Sequence, residues 1–118
     1  MLAGCEGAKS AGGTTIGILS GRARAGSGPN PHIDIVIYTD MGQARNQIIV
    51  LSSAAVIAVG GEWGTLSEIA LARKQGVPVV LLDSWELRSP SADLAADLPS
   101  ASDAKGAVRQ ALELAVRP

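Results

Sequence analysis

Short apolar runs alternate along this chain with longer segments in which apolar residues recur every third or fourth position. The runs are rich in Val, Ile or Leu and are flanked by turn-forming residues, which is typical of strands buried in a parallel sheet. The longer segments have the spacing of amphipathic helices. The predicted strands are residues 14–19, 33–38, 54–59 and 77–82, and the predicted helices are residues 1–11, 41–53, 66–75 and 103–116.

Strands that alternate with helices specify a parallel sheet connected by right-handed crossovers. The chain of 118 residues has the size of one domain. We therefore predict an α/β fold, a Rossmann-like doubly wound parallel sheet, in a single small domain over residues 1–118. The Gly- and Pro-rich segment 20–32 is predicted to be a loop, and the polar segment 86–102 to be irregular.

Residues 41–53 allow two interpretations, because the contiguous apolar residues 48–51 would also suit a strand. We predict a helix, since Asp40 and Gln43 can form a cap pair at its start and the apolar residues keep helical spacing. A helix that is apolar on more than one face is buried on more than one face, either in the core or against another subunit.

The chain is organised around residues 56–72, which have the sequence VIAVGGEWGTLSEIALA. An apolar strand there ends abruptly at a glycine pair, and helical spacing begins at Leu66. The first turn of a helix has unpaired N–H groups and the positive end of the helix dipole, and glycines let a phosphate approach the backbone. A phosphate is therefore predicted to bind at this turn, through Gly60, Gly61, Gly64 and Thr65.

A purely structural explanation of the same residues is also open. Thr65 and Glu68 have the spacing of a capping box, in which each side chain bonds the backbone N–H of the other residue. On that interpretation Glu68 only completes a helix. The turn does not match the Walker pattern, because no Lys-Ser/Thr follows the last glycine, and it does not match G-x-G-x-x-G. The turn alone leaves phosphate binding and simple capping both open.

Two signatures together resemble a known family. Residues 60–68 (GGEWGTLSE) resemble the PGGxGTxxE motif of the Lonely Guy proteins, also described as lysine decarboxylase-like, and residues 41–46 (MGQARN) resemble the second signature of that family. Val59 replaces the family's proline and Asn46 replaces its lysine. Both differences make the chain more similar to a sister group, the Rossmann-like proteins similar to the molybdenum cofactor carrier protein. The resemblance covers about residues 1–83.

The resemblance implies three hypotheses of different classes. The one we favour is a binding protein for a phosphorylated nucleotide or pterin-type ligand, with a bound nucleotide or the molybdenum cofactor as its cargo. The second is a nucleoside 5′-monophosphate phosphoribohydrolase, in which Arg45 would orient the substrate and Glu68 would stabilise the oxocarbenium-like ribose or position water. Arg45 and Glu68 are thus the candidate catalytic residues. The third is a non-catalytic assembly protein.

The composition narrows the classes of partner. A formal net charge of −1 provides no basic field for nucleic acid, and 3% aromatic residues provide no stacking platform for single strands. One Cys and one His predict no disulfide and no metal site, and they suit a reducing cytoplasm. No apolar run approaches the roughly 20 residues of a membrane span. We therefore expect a cytoplasmic protein with a small phosphorylated ligand and without nucleic acid, membrane or metal.

Comparison with the family pattern also predicts an assembly. The chain is expected to be N-terminally shortened, because residue 1 falls in the helix that follows the family's first strand and glycine-rich loop. A sheet edge and apolar surface left uncovered favour association. We predict a homo-oligomer, a dimer or higher, with Ile49 or Val50 near the interface.

Three further residues lie where a ligand could reach them. Arg22 and Arg24 follow the first strand and could contact a phosphate, although a solvated loop is the alternative. Asp83 follows the carboxyl end of a predicted strand, where open α/β sheets bind ligands. It could contact a ribose hydroxyl or simply form a helix cap or turn.

Overall fold

The computed structural model describes residues 1–23, 29–91 and 98–115. Within them the chain forms two compact units, Met1–Ile48 and Ile49–Pro118. In the described residues the first unit contains a parallel sheet of two strands and the second a parallel sheet of three. The predicted α/β fold with parallel strands is confirmed, whereas a single domain over the whole chain stays a prediction.

The first unit places helix α1 (Leu2–Ser10) before the parallel strands β1 (Ile16–Leu19) and β2 (Ile35–Tyr38). Gly17 has a packing role in β1, because a Cβ at this position would lie 2.7 Å from the Ile33 side chain. The glycine therefore lets the chain that leads into β2 approach β1 closely.

The Asp34 carboxylate fixes the start of this sheet. One of its oxygens accepts a hydrogen bond from Lys9 Nζ at 2.8 Å, and the other accepts one from the backbone N–H of Thr15 at 2.9 Å. The hydrogen bond from Lys9, and then that from Thr15, hold the pKa of the Asp34 carboxyl below its ordinary value. The carboxylate thereby connects α1 to the chain that enters both strands.

The segment predicted as one helix over residues 41–53 folds as a 3-10 turn (Gly42–Ala44) followed by helix α2 (Arg45–Leu51). The helical interpretation is confirmed over α2. The predicted cap pair of Asp40 with Gln43 is wrong, because no side chain caps the 3-10 turn. Asp40 has a φ of 51° and accepts a hydrogen bond from Arg22 Nε instead, at 2.6 Å.

Val50 of α2 belongs to a core rather than to a surface. Its side chain is 0% exposed and is part of the buried cluster that contains Ala58 and Ile69. Of the two residues predicted near a subunit interface, Val50 is therefore a core residue, because the second unit itself covers this apolar side chain. Ile49 is half-buried, and its place near an interface stays a prediction. The neighbouring Leu51 is 59% exposed.

The second unit alternates strands with helices around a sheet of order β3-β4-β5, in which all neighbours are parallel. The short last strand lies within the segment predicted to be irregular, so that prediction is wrong there. The elements are β3 (Val56–Gly60), α3 (Trp63–Gln75), β4 (Val79–Ser84), β5 (Ser100–Ala101) and α4 (Ala104–Ala115).

Helices cover both faces of this sheet. Successive side chains of β4 point to opposite faces and therefore pack against different helices. Val79 and Leu81 are buried in one cluster with Ile69 of α3. Val80 is buried in a second cluster with Ala107 of α4. This arrangement is the doubly wound pattern that the sequence predicts.

The end of α3 also follows the prediction. Gly76 takes the left-handed conformation, with a φ of 75°, and its N–H bonds back to the last turn of the helix. In the part of the chain that the structure describes, no helix is long and apolar enough to cross a membrane.

Candidate functional site

Strand β3 ends at Gly60 in a conformation that requires glycine. The φ of Gly60 is 84°, in the left-handed region that side chains disfavour. The register with β4 shifts between Val59 and Gly60, so that Gly60 pairs with Ser84. The Ser84 hydroxyl donates a hydrogen bond to the Gly60 carbonyl at 2.6 Å. The turn that follows β3 is thus stabilised by the backbone conformation of Gly60 and by a hydrogen bond from β4.

The register shift leaves Asp83 as the extra residue of a bulge in β4, because Leu82 pairs with Val59 and Ser84 with Gly60. Asp83 has a φ of 50° and an exposed side chain. The backbone of Asp83 thus forms a bulge within β4, and the alternative of a helix cap or turn is wrong. A contact with a ribose hydroxyl stays a prediction.

Helix α3 begins earlier than the sequence pattern predicts. Glu62 is the N-cap, with a ψ of 158°, and its carbonyl accepts a hydrogen bond from the Leu66 N–H at 3.1 Å. The helix therefore begins at Trp63, and Thr65 is its third residue. The capping-box interpretation is wrong in making Thr65 the N-cap, because the chain is already helical there.

The earlier start brings Gly64 and Thr65 into the first turn of α3. The N–H groups of the first three residues precede the Leu66 N–H, which donates the first bond of the helix, so they have no acceptor within it. The first turn contains no acidic residue, and the carboxylate of the N-cap Glu62 forms no capping hydrogen bond with its N–H groups. These are the properties of a helix N-terminus that binds an anion.

Gly61 leaves the approach to this turn open. A Cβ built on Gly61 would meet no atom within 4 Å, and the residue is exposed. Thr65 is half-buried in the first turn. The four residues predicted to bind phosphate are therefore together at the junction of β3 and α3: Gly60, Gly61, Gly64 and Thr65.

Glu68 lies one turn beyond Thr65 in α3 and is half-buried. Residues three apart are neighbours on one face of a helix, so Glu68 shares the face of Thr65. The structure therefore places a carboxylate close to the predicted phosphate site, within the same unit. A catalytic role for Glu68 stays a prediction.

Two tryptophans form a feature of this junction that the sequence reasoning missed. Trp63 is the first residue of α3 and is 77% exposed. The Trp85 indole N–H donates a hydrogen bond to the Glu62 carbonyl at 3.2 Å, and the two ring centroids are 5.2 Å apart at an interplanar angle of 40°. The available signal was the position of Trp63 between the glycines of the motif, in a chain with only two Trp.

Arg45, the other candidate catalytic residue, begins helix α2 in the first unit. Its Nη1 donates a hydrogen bond to the Ile18 carbonyl near the end of β1, at 2.7 Å. Its Nε is buried and has no hydrogen-bond partner among the described residues. The four residues of the glycine turn and Glu68 belong to the second unit. A joint role of Arg45 with Glu68 therefore stays a prediction.

The other candidate side chains belong to the first unit or lie outside the described residues. Arg22 forms an exposed ion pair with Asp40 in the first unit, at 2.6 Å, and Arg24 lies outside the described residues. The only histidine, His32, lies 3.2 Å from the Glu6 carboxylate. Across residues 1–23, 29–91 and 98–115, no group of three or more His, Cys, Asp or Glu side chains could hold a metal ion.

The parallel strands, covering helices and glycine turn define a Rossmann-like α/β protein. A family model described as the SLOG cluster4 family matches residues 1–112. The chain belongs to this family. The resemblance that its two motifs indicate is therefore confirmed.

Solved structures similar to this chain give the fold independent support. The molybdenum cofactor binding protein from the phototrophic bacterium Rippkaea orientalis is 39% identical with a TM-score of 0.79, over 93% of this chain and 68% of that one. The molybdenum cofactor carrier protein from Chlamydomonas reinhardtii is 40% identical with a TM-score of 0.76, over 96% of this chain and 69% of that one.

A curated relative matches a shorter region more closely. An uncharacterized protein of Archaeoglobus fulgidus is 52% identical over 82 residues, which are 70% of this chain and 52% of that protein. The chain thus spans about half the length of this relative.

Proposed function

We propose that this chain is a binding protein for a phosphorylated nucleotide or pterin-type ligand, with the molybdenum cofactor as the ligand that its structural relatives favour. The observation that carries the proposal is the first turn of α3, which begins directly after the glycine pair that ends β3. The two similar solved structures, a molybdenum cofactor binding protein and a carrier protein, support the pterin-type ligand.

In this proposal the protein holds the phosphate with backbone groups. The N–H groups of Gly64 and Thr65 donate to phosphate oxygens, the Thr65 hydroxyl adds a further donor, and Gly61 leaves room for the anion to approach. The pterin of the molybdenum cofactor carries such a phosphate. The proposal assigns no protein ligand to molybdenum, because the described residues contain no suitable cluster.

The position of Asn46 favours a binding protein over a phosphoribohydrolase. The resemblance to the Lonely Guy proteins would require a lysine here, beside Arg45. Asn46 is uncharged, and its side chain is 1% exposed with a hydrogen bond from Nδ2 to Gln43 Oε1 at 3.3 Å. It supplies no cation for a substrate. The half-buried Glu68 is the observation that keeps hydrolysis as a second candidate function.

Thermal unfolding with AMP and with adenosine tests the binding proposal. AMP at ~100 times its dissociation constant should add about 2.7 kcal/mol to the free energy of unfolding if only the folded state binds it. Adenosine, which lacks the phosphate, should leave the melting temperature unchanged, and Thr65→Val should reduce the shift with AMP. Equal shifts with both compounds, or none with AMP, GMP or a phosphorylated pterin at millimolar concentration, would contradict phosphate binding.

Chromatography of the same AMP samples separates the two functions. A binding protein should release no free adenine. Release of adenine that disappears in Glu68→Gln, while the thermal shift with AMP persists, would instead identify the phosphoribohydrolase. Release that Glu68→Gln leaves unchanged would point to a contaminating activity.

We also propose a homodimer, but through α4 rather than through Val50. Val108 and Leu112 are 49% and 63% exposed on the outer side of α4, beside Lys105 and Glu113. If the α4 helices of two copies pack antiparallel about a two-fold axis, Val108 of one copy lies against Leu112 of the other. The same pairing brings Lys105 near Glu113 of the second copy, which is one contact between opposite charges, and places Arg109 near the two-fold axis.

Light scattering at micromolar concentration should give twice the chain mass for the wild type. Leu112→Glu should give the mass of one chain and keep the circular dichroism spectrum of the folded wild type, since this side chain is exposed. A monomeric wild type would refute the dimer. A Leu112→Glu variant that keeps the double mass would place the interface elsewhere.

A further inference from the structure

Trp63 is the more exposed of the two tryptophans that the structure describes, and it is not part of either core cluster. Trp63 is 77% exposed, whereas Trp85 is half-buried against the main cluster of the second unit. Large aromatic side chains usually bury most of their surface. Trp63 therefore contributes little to the core, and its ring is available to a ligand.

Both rings lie at the N-terminal end of α3. Side chains of a helix lean toward its N-terminus, so the ring of Trp63, the first residue, extends beyond the first turn. Trp85 is held at the same end by the hydrogen bond from its Nε1 to the Glu62 carbonyl, at 3.2 Å. The aromatic pair is thus fixed beside the N–H groups of the first turn.

The contact between the two rings determines where a third ring can bind. Their centroids are 5.2 Å apart, so the rings already touch and no ring can enter between them. Trp85 supports one side of Trp63, and the opposite face of Trp63 remains for stacking. A single turn of helix rises about 5.4 Å, so one mononucleotide-sized molecule can reach both the amides and this ring.

We propose that Trp63, supported by Trp85, is a stacking platform for the planar heterocycle of the ligand whose phosphate binds at the first turn of α3. This inference rests on the proposed function and adds the recognition of the ring system to it. The platform selects ligands that contain a purine or pterin ring over phosphorylated sugars. It gives little selectivity between purine and pterin, because every such ring has a π-face.

Calorimetric titrations with AMP, GMP and ribose 5-phosphate test the platform. Trp63→Ala should weaken binding of AMP and GMP about 5- to 150-fold, the range expected for the loss of one stacked base. It should leave ribose 5-phosphate unchanged, because that ligand has no heterocycle. Trp63→Phe is the matched control and should retain most of the affinity, since it keeps an aromatic face.

The outcomes separate the platform from the phosphate site. Unchanged AMP and GMP binding in Trp63→Ala, or an equal loss for all three ligands, would overturn the platform while the phosphate site stands. A wild type that binds none of the three ligands and no phosphorylated pterin would overturn the proposed function, and the platform with it. Because Trp63 is exposed, these variants should fold as the wild type does, and their melting curves check this.

Fluorescence supplies a direct readout of stacking, because the chain has only two tryptophans. Trp85→Phe leaves Trp63 as the single indole, and GMP should quench its emission while ribose 5-phosphate should not. Equal responses to the two ligands would contradict stacking on Trp63. If Trp85→Phe does not fold, the calorimetric comparison still decides the proposal.

Discussion

Gly61→Asp is expected to weaken AMP binding about a hundredfold and to leave the melting temperature almost unchanged. A Cβ at this position meets no atom within 4 Å, so the fold tolerates the side chain. The new carboxylate lies just before the N-cap of α3, where it favours the helix dipole but repels the ligand phosphate. Two unit charges about 6 Å apart repel by about 3 kcal/mol at an effective dielectric constant of ~20, which corresponds to this loss.

Gly61→Asn is the matched control, because it has the same shape without the charge. It should bind AMP clearly more tightly than Gly61→Asp in the same calorimetric titration, because both variants share any loss caused by the bulk of the side chain. An equal loss in both variants would show that position 61 acts through shape. Wild-type affinity in Gly61→Asp would place the phosphate away from this turn.

Val50→Glu is expected to unfold the second unit rather than to dissociate an oligomer. Val50 is 0% exposed in the cluster with Ala58 and Ile69, and a carboxylate there would be buried without a partner. An uncompensated buried charge costs about 3–5 kcal/mol, a large part of the roughly 5–15 kcal/mol stability of a typical domain. Urea unfolding followed by circular dichroism measures the loss.

Leu51→Glu provides the comparison at the next residue of α2. Leu51 is 59% exposed, so this change should alter the free energy of unfolding by no more than about 0.5 kcal/mol. If Val50→Glu is as stable as Leu51→Glu and changes only the oligomeric mass, Val50 is an interface residue after all and the core assignment is wrong.

The local signals in the sequence predict the elements of the second unit well. The apolar run that becomes β3 ends at a glycine pair, and Gly76 stops α3 in the left-handed conformation. Both signals depend on backbone preferences of single residues, which tertiary contacts seldom override. The candidate phosphate residues were therefore predictable as a group from the glycines and Thr65 alone.

The start of α3 was less predictable, because two local signals compete. The Thr65–Glu68 spacing suits a capping box, whereas the structure uses Glu62 as the N-cap and its carbonyl as the first acceptor. The difference matters for function, because it moves Gly64 and Thr65 into the first turn. The pattern could not show the earlier start, because Glu62 acts as the N-cap through its backbone and forms no side-chain capping bond.

Other features depend on contacts between distant parts of the chain. The apolar residues of α2 predict burial, but only the packing of the second unit shows that Val50 joins Ala58 in its core. The Trp63–Trp85 pair likewise joins the start of α3 to the chain after β4. Periodicity describes one element at a time, so neither partner could be assigned from it.

The central claim is tested most directly by retention of the molybdenum cofactor through gel filtration. The wild type and Gly61→Asn are incubated with the cofactor under anaerobic conditions beside Gly61→Asp, and molybdenum and pterin are measured in each protein peak. We expect molybdenum and pterin to elute with the wild type and with Gly61→Asn, and neither to elute with Gly61→Asp. Retention by Gly61→Asp equal to that of the wild type, or no retention by any of the three, would contradict it.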